Sequence, residues 1–277
     1  MKMTGSAIVT GGSRGLGSLT VRHLASAGWK VGCISRSRPS PENAVHDVAY
    51  VSGDVSDFQS MNGCADATLS QVGAARLVIC NAAVVGPIGR LHETDSAGFA
   101  DALGVNVLGV VNTIKAYWSQ LQGAPGARVI VVSGGGTGGP RPMLRAPAYV
   151  PSKAALVSLV ELLAPEFAEI GASIIAVAPG AVIPTDFLSS VSDAKPESAG
   201  EQLINEAATQ RSAAAGAADG YLQLLDYLLG DAGIPLNGTT LSGKWNTPSQ
   251  LQAVVENSVS ANMYRLRRID GELFDER

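Results

Sequence analysis

Tyr149 and Lys153 stand four residues apart in Tyr149-Val150-Pro151-Ser152-Lys153, where an apolar-periodic stretch begins and continues through Ala154-Ala155-Leu156. On a helix that spacing puts both side chains on one face. A free phenol titrates near pH ~10, too high for proton exchange at neutrality. A neighbouring ammonium favours the phenolate and brings it toward the working range, so the pair is expected to move a proton together. Pro151 fits this reading, because a first-turn residue has no intrahelical partner for its missing N–H. Tyr and Lys at this spacing arise often by chance; their place in the chain gives the pair its weight.

A second constellation lies near the start. Thr10-Gly11-Gly12-Ser13-Arg14-Gly15-Leu16-Gly17 follows an apolar run and leads into a helical pattern, Leu16–Ala27, that Gly28 closes. Glycine lets the chain turn sharply here and lets the backbone approach a pyrophosphate closely. The helix that follows offers free N–H groups and a positive dipole end to that anion. This loop therefore reads as a dinucleotide cradle. The next apolar run ends in Ser35 and Arg36, where NAD sites usually place an acid against the ribose hydroxyls. Arg36 and Arg14 can each pair with a 2′-phosphate, and no carboxylate repels it, so NADP(H) is the expected cofactor.

The elements that must hold these groups can be read from the apolar runs. Ser6–Thr10, Lys30–Ile34, Val48–Val51, Arg76–Cys80, Arg128–Val132 and Ser173–Val177 are short, β-rich and nearly continuous in apolar residues, as strands buried on both faces of a parallel sheet should be. Segments of helical length separate them. Repeated alternation with right-handed crossovers predicts an α/β fold, a doubly wound parallel sheet of the Rossmann type in three α/β/α layers. Residues 186–230 lack a strand and are rich in Ala, Ser and Glu, which predicts a helical insertion before a last strand at Thr239–Leu241. Pro165 should kink the helix that carries Lys153. The whole of 1–277 reads as one domain, with 245–277 as a C-terminal extension.

With the motifs in this order, the sequence resembles the short-chain dehydrogenase/reductase family in its single-domain branch, from Ala7 to about Leu241. The resemblance rests on the TGGSRGLG loop, Asp54-Val55 after the third strand, Asn81-Ala82-Ala83 after the fourth, Asn106 in VNVLG, Tyr149 with Lys153, and Pro179-Gly180 after the sixth. It implies that Asp54 and Val55 border an adenine, that Asn81 supports sheet and cofactor, and that Val182 meets the nicotinamide amide through its backbone. Tyr149 would be the general acid/base, Lys153 would hold the nicotinamide ribose and lower the Tyr149 pKa, and Asn106 would anchor a water in the proton relay. The implied reaction is hydride transfer between NADP(H) and a ketone or secondary alcohol, by a homotetramer or homodimer; with no signal peptide expected, a cytoplasmic address is the default expectation. The alternatives are a non-redox isomerase, epimerase or dehydratase on the same scaffold, or a non-catalytic dinucleotide-binding protein.

The sequence departs from the family pattern twice. The usual catalytic serine falls on Gly134 when aligned from the strand, with Ser133 one residue early, and the loop up to Tyr149 is long. Consecutive glycines can let Ser133 or Thr137 supply the hydroxyl; Ser133 is preferred. The threonine after Pro-Gly is also displaced, since PGAVIPT puts Thr185 one position late for its phosphate contact.

Composition excludes several other functions. The 277 residues carry 20 Lys+Arg against 24 Asp+Glu, a formal net charge of -4, with no basic run that would suit nucleic acid. Three cysteines, Cys33, Cys64 and Cys80, are too few and too scattered for a disulfide framework or a metal site. His23, His46 and His92 form no zinc motif, and His92 alone lies near the expected substrate side. No apolar stretch reads as long enough to span a bilayer, and no signal peptide is expected before the first strand. The substrate pocket is expected between 186–230, Val84–His92 and Thr137–Pro147, with Arg141, Arg145 and Arg211 as candidate partners for an anion. The amphipathic tail from Met263 to Ile269 is a candidate subunit contact.

Overall fold

A computed structural model describes residues 3–134, 145–180, 205, 218–230 and 236–256. Seven strands form one parallel sheet: β1 (Ser6–Thr10), β2 (Lys30–Ser35), β3 (Ala49–Ser52), β4 (Ala75–Cys80), β5 (Arg128–Val132), β6 (Ser173–Ala178) and β7 (Thr240–Ser242). Their order is β3-β2-β1-β4-β5-β6-β7. Each sequence-read strand is present, with ends shifted by at most a residue or two, because a continuous apolar run marks a strand buried on both faces. β1 and β5 are buried at every position.

Helices cover both faces. On one side lie α1 (Gly15–Ser26) and α6 (218–228), where Val9, Val21, Leu24, Ile79, Tyr221 and Leu225 share one core. On the other lie α2 (Phe58–Val72), α4 (Gly109–Gln122) and α5 (Tyr149–Glu169), packed through Met61, Val78, Tyr117, Val131, Leu156 and Phe167. Alternate strand residues feed the two cores: Val9 and Val132 face α1 and α6, while Ile8 and Val131 face α2, α4 and α5. α5 runs as one helix through Pro165 to Glu169. A further helix, α7 (Pro248–Glu256), follows β7. Thr247 and Gln250 exchange bonds at its start, an N-terminal capping box with Pro248 in the first turn.

One expectation needs correction. α3 (Ser96–Leu103), a π-turn at Gly104–Leu108 and α4 join end to end, so that Ser96–Gln122 makes 27 residues of continuous helix, of which one 18-residue stretch has mean hydropathy 1.4. By length and composition it could cross a membrane. Its apolar face is already used, however: Val110, Ile114, Tyr117 and Leu121 are buried in the sheet core.

The order β3-β2-β1-β4 reverses chain direction across the sheet at β1 and β4, where parallel α/β sheets open a crevice beyond the strand ends. The Thr10 hydroxyl holds that junction by accepting from the Asn81 and Ala82 amides at 3.1 and 3.2 Å.

Candidate active site

A cavity of about 500 Å³ lies beyond the carboxyl ends of the strands, and every strand sends its following residues into it. Gly11 to Gly17 come from β1, Ser35 and Arg36 from β2, Asp54 and Val55 from β3, and Asn81 to Ala83 from β4. Ser133 and Gly134 come from β5, Pro179 and Gly180 from β6, and Lys244 and Trp245 from β7.

The phosphate loop is shaped by space as well as by turning. Gly11 adopts φ +67°, and a Cβ on it would meet Ala82 Cα at 2.7 Å. A Cβ on Gly17 would strike the Gly11 carbonyl oxygen at 2.2 Å, so helix α1 can sit this close to the loop only with glycine there. Asn81 fixes the loop from the sheet side, its amide donating to the Thr10 and Gly11 carbonyls at 3.0 and 3.1 Å. α1 starts from Arg14 with no side-chain cap, which suits an anion at its first turn. Ser13, Gly15 and Leu16 line the same cavity, and Arg14 and Arg36 are exposed at its edge. The Asp54 carboxylate accepts from the Ser56 amide and hydroxyl at 2.9 and 2.7 Å, which holds its pKa below the usual value, with a smaller contribution from Arg36. These residues fit an adenine dinucleotide.

Tyr149 and Lys153 open α5 on one face, as their spacing predicts. Lys153 is buried, donates to the Val132 carbonyl at 2.9 Å, and has Nζ 5.7 Å from the Tyr149 ring centre. Burial lowers its pKa to about 8. Burial also pushes the Tyr149 phenol up to about 12. The expectation that Lys153 brings the phenol toward neutrality is therefore corrected: desolvation of the buried phenol raises its pKa instead.

Asn106 is fully buried in the π-turn, a helix irregularity often found at functional sites. Its oxygen accepts from the Val84 amide at 2.8 Å, and its nitrogen donates to the Val84 carbonyl at 2.8 Å and to Ser152 Oγ at 2.9 Å. Ser152 Oγ in turn donates to the Tyr149 carbonyl at 2.6 Å. These bonds lock the Val84 loop to the first turn of α5.

The β5 end resolves the alignment of the serine. A Cβ on Gly134 would stand 3.0 Å from Tyr149 Oη and 3.0 Å from Lys153 Cγ, so Gly134 faces the pair directly. Ser133 lines the cavity but its Oγ is buried and finds no hydrogen-bond partner among the described residues. Thr137, Val182 and Thr185 lie outside the described residues, as do Arg141, Arg211 and the 263–269 tail. His92 is exposed on a short 3-10 turn, and His23 pairs with Asp226 of α6 at 3.1 Å, away from the cavity. The three cysteines are free and buried.

Sequence reasoning missed Ser152, Lys244 and Trp245. A signal was present for the last two: residues after every other strand had been read as site residues, and the same question applies after the seventh.

Residues 6–196 match the sequence model of a family described as short chain dehydrogenase. The chain is 28% identical over 218 residues to a 3-oxoacyl-(acyl-carrier-protein) reductase of Staphylococcus aureus, covering 74% of this chain and 84% of the relative. In structure it resembles levodione reductase, with TM-score 0.73 and 22% identity over 90% of this chain and 98% of that one. It also resembles RhlG of Pseudomonas aeruginosa in an NADP active-site complex, with TM-score 0.69 and 24% identity over 86% and 93% of the two chains.

Proposed function

The chain belongs to the short-chain dehydrogenase/reductase family, and from that premise we propose that it transfers hydride between NADP(H) and a ketone or secondary alcohol. The observation that carries this reading is a single one: the phosphate loop and the Tyr149–Lys153 pair open onto the same cavity. NADP(H), when bound, supplies or accepts the hydride. The loop from Gly11 to Gly17 would cradle the pyrophosphate, Arg14 and Arg36 would take the 2′-phosphate, and Asp54 and Val55 would border the adenine. Two proteins named above support the nucleotide and the substrate class: one is a 3-oxoacyl reductase, the other was solved with NADP.

Tyr149 handles the proton. With its phenol pushed up to about 12, Tyr149 is protonated across the neutral range and is set to donate to a carbonyl oxygen as the carbonyl carbon receives hydride. Lys153, held between Val132 and Tyr149, would meet the nicotinamide ribose and stabilise the phenolate left behind. Ser133 is the proposed hydroxyl for orienting the substrate oxygen, because an unpaired buried hydroxyl gains most from a ligand partner.

The test follows nicotinamide fluorescence of NADPH, with NADH in parallel, while the protein meets a panel of ketones. Binding of NADPH and its consumption with one class of ketone is the expected result. Binding with no consumption in either direction would shift the assignment to a non-redox reaction on the same site. Tyr149→Phe should lower turnover by about a thousandfold and leave the NADPH dissociation constant within about twofold; turnover retained in this variant would remove the proposed proton donor.

A further inference from the structure

The turn after β7 carries a cation and an aromatic ring that no step above uses. Its backbone is closed on itself: the Ser242 amide donates to Asn246 Oδ1 at 2.7 Å, and the Trp245 and Asn246 amides return to the Ser242 carbonyl at 3.2 and 2.9 Å. The Gly243 amide donates to the Ala178 carbonyl at 2.9 Å, tying the turn to the end of β6 beside Pro179-Gly180. A turn this well tied presents its side chains in fixed places.

Those side chains are Lys244 and Trp245, and both line the cavity. Trp245 is 69% exposed, with Lys244 Nζ 4.4 Å from its ring centre. An indole so exposed at a cavity mouth is apolar area available to a ligand, and an ammonium on its face is a ready partner for an anion.

Strand order says which ligand. Arg14 and Arg36 follow β1 and β2, whereas Lys244 follows β7 at the opposite edge. At about 4.8 Å per strand, Lys244 lies on the order of 20 Å from the loop that would hold the pyrophosphate. It lies only two strands, on the order of 10 Å, from Gly134 and the Tyr149 hydroxyl that it faces. That is the reach of a short chain extending from a carbonyl at Tyr149 toward the rim.

We propose that Lys244 and Trp245 form an anion-selecting rim, which binds ketones that carry a carboxylate or phosphate at the end of a short chain remote from the carbonyl. Trp245 covers the chain and Lys244 pairs with the charge. The proposal deepens the reductase reading and rests on it for turnover, though not for binding.

The test compares 6-oxoheptanoate with its methyl ester, by calorimetry on protein saturated with NADP⁺, so that nothing is turned over. The wild-type protein should bind the acid about tenfold tighter than the ester, and added salt should narrow that gap. Lys244→Ala should close the gap and Lys244→Arg should keep it, with the NADPH dissociation constant unchanged in both. Trp245→Phe should weaken acid and ester alike by a few-fold. No preference for the acid in the wild-type protein overturns the proposal. So does a Lys244→Ala variant that weakens the ester equally, or one that weakens NADPH instead, which would assign Lys244 to the cofactor phosphates. Selective binding of an acid that the enzyme never reduces would leave the rim standing and sink the reductase reading alone.

Discussion

Gly134 faces the Tyr149 hydroxyl so closely that an added methyl would stand 3.0 Å from it, tighter than ordinary contact. Something must yield in Gly134→Ala, and the candidates are the two groups proposed to do the chemistry. That variant should lose about tenfold or more in kcat with NADPH binding unchanged, since small misplacements of reacting groups are costly; a variant as active as the wild type would mean that Tyr149 can give way freely. Lys153 invites a stability experiment. Its folded pKa of about 8 lies below its ordinary value of 10.5, so the unfolded chain binds more protons between those limits. Below pH 8 the folded protein bears the full cost of a buried ammonium, and above 10.5 it bears none. Lys153→Met should therefore be more stable than the wild type at pH 7, by about 2 kcal/mol after allowing for the lost bond to Val132. Urea melts should show that advantage fading as pH rises from 8 to 10.5, and a pH-independent difference would contradict the burial argument.

At the scale of elements, the π-turn between α3 and α4 is the joint that sets the site. It delivers Asn106 to Val84 and Ser152, and through Ser152 to the carbonyl of Tyr149. Three segments distant in sequence are fixed by one buried amide. Asn106→Ala strands the Val84 amide and carbonyl and should cost about 2–3 kcal/mol in denaturant melts. It should also lower kcat while leaving KM for NADPH nearly unchanged, because the phosphate loop is held separately by Asn81. A loss of stability with unaltered kcat would reduce Asn106 to a packing role.

Across the whole molecule, the sheet spreads its cations to opposite ends of one cavity: Arg14 and Arg36 after β1 and β2, Lys244 after β7. A ligand that binds only the folded state raises stability by mass action, about 2.7 kcal/mol at a hundred times its dissociation constant. NADPH should thus raise the melting temperature more than NADH at equal concentration, and Arg36→Ala should erase most of that difference. Equal shifts with both nucleotides in the wild-type protein would show that Arg14 and Arg36 do not read the 2′-phosphate.

The sequence by itself determined the strands, their parallel pairing and the place of Tyr149, Lys153 and the glycine loop. These are local facts, written in unbroken apolar runs, in a spacing of four on a helix and in glycines that a tight strand-to-helix turn requires. It also located Gly134 where a serine was expected. What it could not determine depends on groups brought together from afar. Whether Lys153 or desolvation governs the Tyr149 phenol is a matter of burial, which is set by the packing of α5 against the sheet and not by the neighbours in the chain. That Asn106 spends its amide on Val84 and Ser152 could be known only once the π-turn had placed it there. That Lys244 and Trp245 belong to the cavity follows from β7 lying beside β6, a pairing between residues some sixty positions apart. Local physical chemistry fixes which elements form; only their closure into one sheet decides which side chains share a dielectric, a hydrogen bond or a ligand.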